Sequence, residues 1–112
     1  MKIENTKAQM RKGVLEFCIL SILKKGEAYP SDIIAKLKSS KMIVVEGTIY
    51  PLLTRLKNSD VLEYRWEESK SGPPRKYYSL SKKGEELLVE LEVTWNELVQ
   101  AVKLTTKKSV KK

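Results

Sequence analysis

Apolar positions recur at helical spacing in four stretches of the chain, and apolar and charged positions alternate in a fifth. Spacings of three and four residues predict helices at about 10–25, 30–39, 46–56 and 81–105, the last capped by Ser81. Residues 61–67 alternate like a strand, and residues 75–80 form a second strand after a loop at 68–74. Residues 1–9 are polar and are expected to be loose. The pattern predicts a mainly α fold with a small β-hairpin.

The predicted third helix has two unlike faces. Its apolar stripe, which must be buried, consists of Ile49, Leu52, Leu53 and Leu56. The other side carries short or planar hydrogen-bonding groups, namely Thr48, Tyr50, Pro51, Thr54 and Arg55. Such a face suits a DNA groove, because Thr and Tyr reach phosphates and Arg binds phosphate or guanine with two bonds. Taken alone, the stretch fits an ordinary amphipathic helix equally well.

The distribution of charge indicates two regions. The net charge is +8 with a pI near 9.6, which favours a polyanionic partner, although an anionic membrane surface or simple solubility would also fit. Residues 1–84 hold 17 Lys/Arg and 9 Asp/Glu, residues 85–102 hold five Glu and no base, and residues 103–112 hold five Lys and no acid. A basic head therefore carries an acidic helix and a basic tail.

Several classes of protein are disfavoured. The chain has no His, and its one Cys, Cys18, lies among apolar residues without a base, so we expect neither an enzyme nor a metal or cofactor site. Cys18 is expected to be a small buried side chain rather than a redox group. No signal peptide is recognisable, and the apolar run at 14–23 is too short and polar to span a membrane. We expect a cytoplasmic protein with no membrane partner.

Three helices followed by a hairpin is the order of a winged helix-turn-helix, in which the third helix reads DNA and the hairpin forms a wing. Lys70, Arg75 and Lys76 place positive charge in or at the base of this wing, and Pro73-Pro74 restricts the direction of Arg75. Trp66 is expected to pack at the wing's base. The same order also occurs in modules that bind only proteins, so a winged-helix interaction module remains the alternative.

Two motifs together resemble the PadR family of bacterial transcriptional regulators. They are Glu-Gly-Thr-Ile-Tyr-Pro-Leu-Leu-Thr-Arg-Leu at 46–56 and Gly-Pro-Pro-Arg-Lys-Tyr-Tyr-Ser-Leu-Ser-Lys-Lys-Gly at 72–84. The resemblance covers nearly the whole chain and fits the small branch of the family, which has a single C-terminal helix. It implies a homodimeric winged-helix repressor acting on inverted-repeat operators. The residues that we predict to contact DNA are Ser31, Gly47, Thr48, Tyr50, Pro51, Thr54, Arg55, Lys70, Arg75 and Lys76.

The sequence departs from the family pattern at two places. Pro30-Ser31 stands where the family often has Gly-Tyr, so a phosphate contact from that tyrosine is lost unless Tyr29 or Ser31 replaces it. Val45 stands where the family often has Ser or Asn, which removes a helix cap that is typically worth ~1 kcal/mol.

The last helix carries a heptad seam, consisting of Leu88, Leu91, Trp95, Leu98, Val102 and Thr105. The small N-terminal head cannot bury the whole seam, so we expect the seam to pair two copies of the chain. The expected division is therefore a DNA-binding domain at 1–83 and a dimerisation helix with basic tail at 84–112. Trp95 has two candidate roles: dimer packing, or stacking on a planar aromatic effector, as in multidrug-sensing members that resemble this chain.

Overall fold

A computed structural model describes residues 2–108. The elements follow in the order α1 (Ile3–Lys24), α2 (Pro30–Ser39), α3 (Glu46–Asn58), β1 (Leu62–Ser69), β2 (Gly72–Leu80) and α4 (Lys82–Thr106). The mainly α fold with one hairpin and a long C-terminal helix is confirmed. In the described part of the chain, no helix is long and apolar enough to cross a membrane.

The core lies between the first three helices, the base of the hairpin and the start of α4. The predicted apolar stripe of α3 is buried here, together with residues of α1 and α2. Removing these side chains from water contributes about 1.5–3 kcal/mol each, which holds α3 with its other face outward. The most deeply buried side chains are Ile19, Leu20, Ile33, Leu37, Ile49, Leu53 and Leu62.

Helix α1 starts at Ile3, so the expectation of a loose segment at 1–9 is wrong for residues 3–9. These residues include neither Gly nor Pro, and Glu4 lies in the first turn, where it complements the helix dipole. Extending a helix that the core has already nucleated costs little, so polar residues continue it. Residues 2–10 are all exposed and form an arm beyond the core.

The hairpin is longer than predicted, because both strands extend into the expected loop at 68–74. The antiparallel register runs from Leu62 opposite Leu80 to Glu67 opposite Arg75, with an irregularity between Glu67 and Ser69. A third segment joins β2 through Ala28, whose N–H donates to Tyr78 O and whose carbonyl accepts from Tyr78 N, at 3.0 and 2.8 Å. A one-residue bridge gives no alternation in sequence, so it was not predictable from pattern.

Two expectations about helix starts are confirmed. Ser81 caps α4, with Oγ accepting a hydrogen bond from Gly84 N at 3.0 Å. Val45 precedes α3 and provides no side-chain cap. Of the predicted basic tail, residues 109–112 lie outside the described part of the chain.

Candidate nucleic-acid interface

The polar side of α3 is exposed to solvent. Its exposed positions are Gly47, Thr48, Tyr50, Pro51, Thr54 and Arg55. The helix begins with one acid, Glu46, whose Oε1 lies 3.2 Å from Lys38 Nζ on α2, which offsets its negative charge. The face therefore offers hydroxyl, phenol and guanidinium groups and little net negative charge to a partner.

Arg55 is engaged within the chain. Its Nη2 donates to Glu16 Oε1 of α1 at 2.5 Å, and both side chains are substantially exposed. For Arg55 to bind a phosphate or guanine, its ion pair with Glu16 must therefore open, or the guanidinium must contact Glu16 and the DNA at the same time. Thr54 Oγ1 donates to Tyr50 O at 3.2 Å, which leaves the oxygen lone pairs of Thr54 free to accept. Pairing of Glu16 with Arg55 joins residues 39 positions apart and had no signal in the sequence.

An open cleft of ≈ 430 Å³ runs between α1 and α3, beside Arg55. It is lined by Lys12 and Gly13 of α1 and by Thr48 and Pro51 of α3, among others. Lys12 thus adds a cation next to the predicted surface, and it was not among the predicted DNA contacts. Ser31, in the first turn of α2, is exposed.

One face of the hairpin stacks two arginines on two tyrosines. The rings of Tyr29 and Tyr77 are nearly parallel, with centroids 4.2 Å apart. The Arg65 guanidinium lies 4.9 Å from the Tyr77 centroid, and the Arg75 guanidinium 4.8 Å from the Tyr29 centroid. Tyr29, a possible replacement for the missing phosphate-binding tyrosine, contacts Arg75 through its ring.

The other face of the hairpin combines aromatic rings with lysines next to the end of α3. Lys76 Nζ lies 4.6 Å from the Tyr64 centroid and 5.5 Å from the Trp66 centroid, and Lys57 of α3 lies 5.6 Å from the Tyr64 centroid. Trp66 packs edge-on against Tyr64, as expected, but 58% of it remains exposed. Its position beyond Tyr64 on β1 carries it past the core.

Lys70 lies in the turn between the strands and is exposed, as is Arg75 near the start of β2. Lys76 is half-buried under its aromatic neighbours. Among the described residues, neither Lys70 nor Arg75 has a carboxylate within ion-pair distance. The wing therefore presents two unpaired cations, at its tip and along one edge.

The predicted seam of α4 divides into two parts. Leu88 is 4% exposed in the core and Leu91 packs against it, so these two side chains already have partners within the chain, contrary to the expectation of a single continuous dimer seam. Trp95 contacts Phe17 of α1, with centroids 6.2 Å apart, and remains 40% exposed. Leu98 and Val102, beyond the head, are about half exposed. Of the predicted seam, the exposed apolar part thus lies in the second half of α4, although Val89 and Val93, outside the seam on its first half, are also about half exposed.

Three helices with an open third helix and a flanking hairpin define a winged helix-turn-helix protein. The Transcriptional regulator PadR-like family profile matches residues 19–90. A PadR-like transcription factor from Bacteroides fragilis is 61% identical, with 91% of this chain and 99% of that chain covered and a TM-score of 0.77. The chain belongs to the PadR-like family of transcriptional regulators. Because this is a family of regulators, the expectation that the chain is not an enzyme is confirmed.

Two further solved structures are similar. A PadR-like transcriptional regulator from Bacillus cereus is 38% identical over 90% of this chain and 99% of that chain, with a TM-score of 0.78. The Bacillus subtilis PadR structure in complex with operator DNA is 26% identical, covering 71% of this chain and 47% of that chain, with a TM-score of 0.66. The likeness to the first extends over nearly its whole length, whereas the second is about twice as long as the matched part.

Proposed function

We propose that this protein is a cytoplasmic, sequence-specific DNA-binding repressor that acts as a homodimer on an inverted-repeat operator and blocks it by occupancy. The observation that carries the proposal is the outward face of α3, which offers Thr48, Tyr50, Thr54 and Arg55. Beside it lies the wing, where Lys70 and Arg75 have no carboxylate within ion-pair distance in the part of the chain that the structure describes. Family membership and the complex of the B. subtilis relative with operator DNA support it. Ser31, Gly47, Pro51 and Lys76 complete the proposed contact surface.

We propose that residues 1–83 bind DNA and that residues 84–112 form the dimer interface. Support comes from the exposed apolar side chains of the second half of α4, where burial by a second copy would be favourable. A two-fold axis there would present two α3 helices to successive major grooves, ~34 Å apart. Leu98→Asp is expected to give a monomer by light scattering, whereas Gln100→Asp, on the opposite side of α4, is expected to remain a dimer.

Trp95 keeps its two proposed roles, dimer packing and stacking on a planar aromatic effector. Its ring lies against Phe17 and is partly open, which suits either role. Titration of a planar cationic dye distinguishes them: quenching of tryptophan fluorescence that is lost in Trp95→Phe indicates an effector site. Quenching equal to that of the Trp95→Phe control leaves packing alone. An effector acts on DNA binding only by favouring one separation of the two heads.

A mobility-shift titration against salt tests DNA binding and separates it from the protein-interaction alternative. Binding through phosphates should weaken steeply as salt rises, because counterions are released. Selection from random duplexes would then define the half-site and its spacing. Arg55→Ala is expected to lower affinity for the selected site by about tenfold or more, the effect of a lost base or phosphate contact. Lys103→Ala, which removes the same charge from the last turn of α4, is the control. Unchanged binding by a folded, dimeric Arg55→Ala would refute the assignment of α3.

A further inference from the structure

We propose that Arg65 and Tyr29 are positioning residues for DNA binding: they keep the Arg75 guanidinium free of carboxylates and stacked at the edge of the wing, ready for a backbone phosphate. The inference rests on the proposed DNA binding. Neither Arg65 nor Tyr29 needs to touch the duplex, since each acts through Arg75.

The row of side chains follows from the pairing of three chain segments. Arg65 lies directly opposite Tyr77 in the hairpin, and the Ala28–Tyr78 bridge brings Tyr29 alongside Tyr77 from the other side. The contacts then run from Arg65 to Tyr77, from Tyr77 to Tyr29 and from Tyr29 to Arg75, at 4.9, 4.2 and 4.8 Å. Arg75 is thus supported by a ring that the fold itself holds in place.

Two carboxylates that flank this row, those of Glu67 and Glu27, are hydrogen-bonded to Arg65. Glu67 lies directly opposite Arg75 in the register and would be its natural cross-strand partner. Its carboxylate is instead hydrogen-bonded to Arg65 Nη1. Arg65 also donates to both oxygens of Glu27, from Nη2 at 2.7 Å and from Nε at 3.2 Å.

The pKa shifts agree with this geometry. The hydrogen bonds that Arg65 donates to Glu27 and Glu67 raise the pKa of Arg65 above its ordinary value, and the bond to Glu27 lowers the pKa of Glu27. Arg65 is therefore paired with two carboxylates. Among the described residues, Arg75 has no carboxylate within ion-pair distance.

A guanidinium that lies over a ring makes this contact through its charge and leaves N–H groups available, with which it can bind a phosphate through two bonds. The stack also removes part of the rotamer freedom that an arginine loses on binding. Arg75 is exposed and follows Pro74, so its backbone direction is restricted as well. These features together make it a preorganised phosphate ligand.

The test measures binding of the full-length protein to a random-sequence duplex three helical turns long, since phosphate contacts do not depend on sequence. Arg65→Gln releases Glu67 to pair with Arg75, and affinity is expected to fall about two- to fivefold, the range for an exposed ion pair. Adding Glu67→Gln should restore it. Adding Glu68→Gln instead removes the same charge one residue away and should restore much less. Equal rescue by both would indicate general repulsion and overturn the role of Arg65.

Variants of Tyr29 test the stack. Tyr29→Phe keeps the ring and should bind like the native protein, whereas Tyr29→Leu should bind about two- to fivefold more weakly, as expected for one exposed cation–π contact. In an Arg75→Ala background, which itself lowers the salt slope by about one, Tyr29→Leu should have no further effect. A loss that persists in that background would show a structural role and refute positioning.

The outcomes separate the two proposals. If the native protein fails to bind the duplex even at low salt, DNA binding is wrong and the inference falls with it. If the native protein binds and Arg75→Ala weakens it, but Arg65→Gln and Tyr29→Leu do not, DNA binding stands and the positioning role is refuted. Loss of ring-current shifts on the Arg75 side chain in Tyr29→Leu provides a check by NMR that is independent of DNA.

Discussion

Gly84 is the position where one added methyl group should most damage the fold. It lies in the first turn of α4, and a Cβ built there would lie 2.1 Å from Val61 O and 3.2 Å from Val61 C. Backbone atoms cannot swing away as the end of a flexible side chain can. Gly84→Ala therefore requires α4 to move away from the chain segment that enters β1.

The expected cost follows from the contacts at this junction. Val61 O accepts from Ser81 N at 3.2 Å, and the Ser81 hydroxyl shares its one proton between Asp60 O at 2.6 Å and Val61 O at 3.0 Å. Displacing α4 weakens the backbone bond and the hydroxyl bond, at about 1 kcal/mol each. Overpacking adds about 1–3 kcal/mol. The higher helix propensity of alanine offsets about 1 kcal/mol of this loss in stability. The free energy of unfolding should thus fall by roughly 2–4 kcal/mol, which lowers the melting temperature by at least about 8 °C.

The assay is thermal and urea unfolding followed by circular dichroism, at one fixed protein concentration because a dimer's stability depends on it. Gly13→Ala is the matched control: it lies within α1 and a Cβ there meets nothing within 4 Å, so it should stabilise the protein by up to about 1 kcal/mol. If Gly84→Ala is as stable as Gly13→Ala, the close approach to Val61 does not constrain the fold and the reasoning is wrong.

Three further outcomes are expected. The hydrogen bond from Arg65 lowers the pKa of Glu27, so the stability that this pair contributes should be complete above about pH 4.5, the ordinary pKa, and should be lost as the pH falls through the lowered pKa. The difference in unfolding free energy between the native protein and Glu27→Gln should therefore shrink in acid. A difference that is unchanged down to about pH 2 would contradict this. Glu16→Gln frees Arg55 and should tighten DNA binding by up to about fivefold in mobility shifts, whereas weaker binding would mean that Glu16 orients Arg55 for the duplex. Burial raises the pKa of the Cys18 thiol, so its alkylation at neutral pH should be slower than that of glutathione and should speed up on unfolding.

Much of the interface was predictable because each face of an element is encoded locally. The spacing of Ile49, Leu52, Leu53 and Leu56 determines which side of α3 is buried, and therefore which residues are exposed. The same local rules place the cap at Ser81, the turn near Lys70 and the positive charges of the wing. Periodicity alone did not distinguish a DNA-binding helix from a plain amphipathic helix; the basic wing, the dimerisation helix and the family resemblance favoured DNA binding.

The remaining features depend on contacts between distant segments, which no local pattern reports. Glu16 meets Arg55, and Glu27 meets Arg65, only because α1 and the loop after it pack beside α3 and the hairpin. The heptad spacing of α4 marked Leu88 as apolar and facing a partner, but the head, not a second copy, covers it.

The sequence by itself determined the order of the elements, the buried and exposed sides of α3 and the net charge of the surface, because these depend on residue type and on near neighbours along the chain. The tertiary structure alone decided which charges are paired and which are free. Arg55, Arg65 and Arg75 are identical in chemistry, yet the first is paired with one acid, the second holds two, and the third stacks on Tyr29 with no acid partner among the described residues. Position in space, not residue type, sets the charge that each offers to DNA.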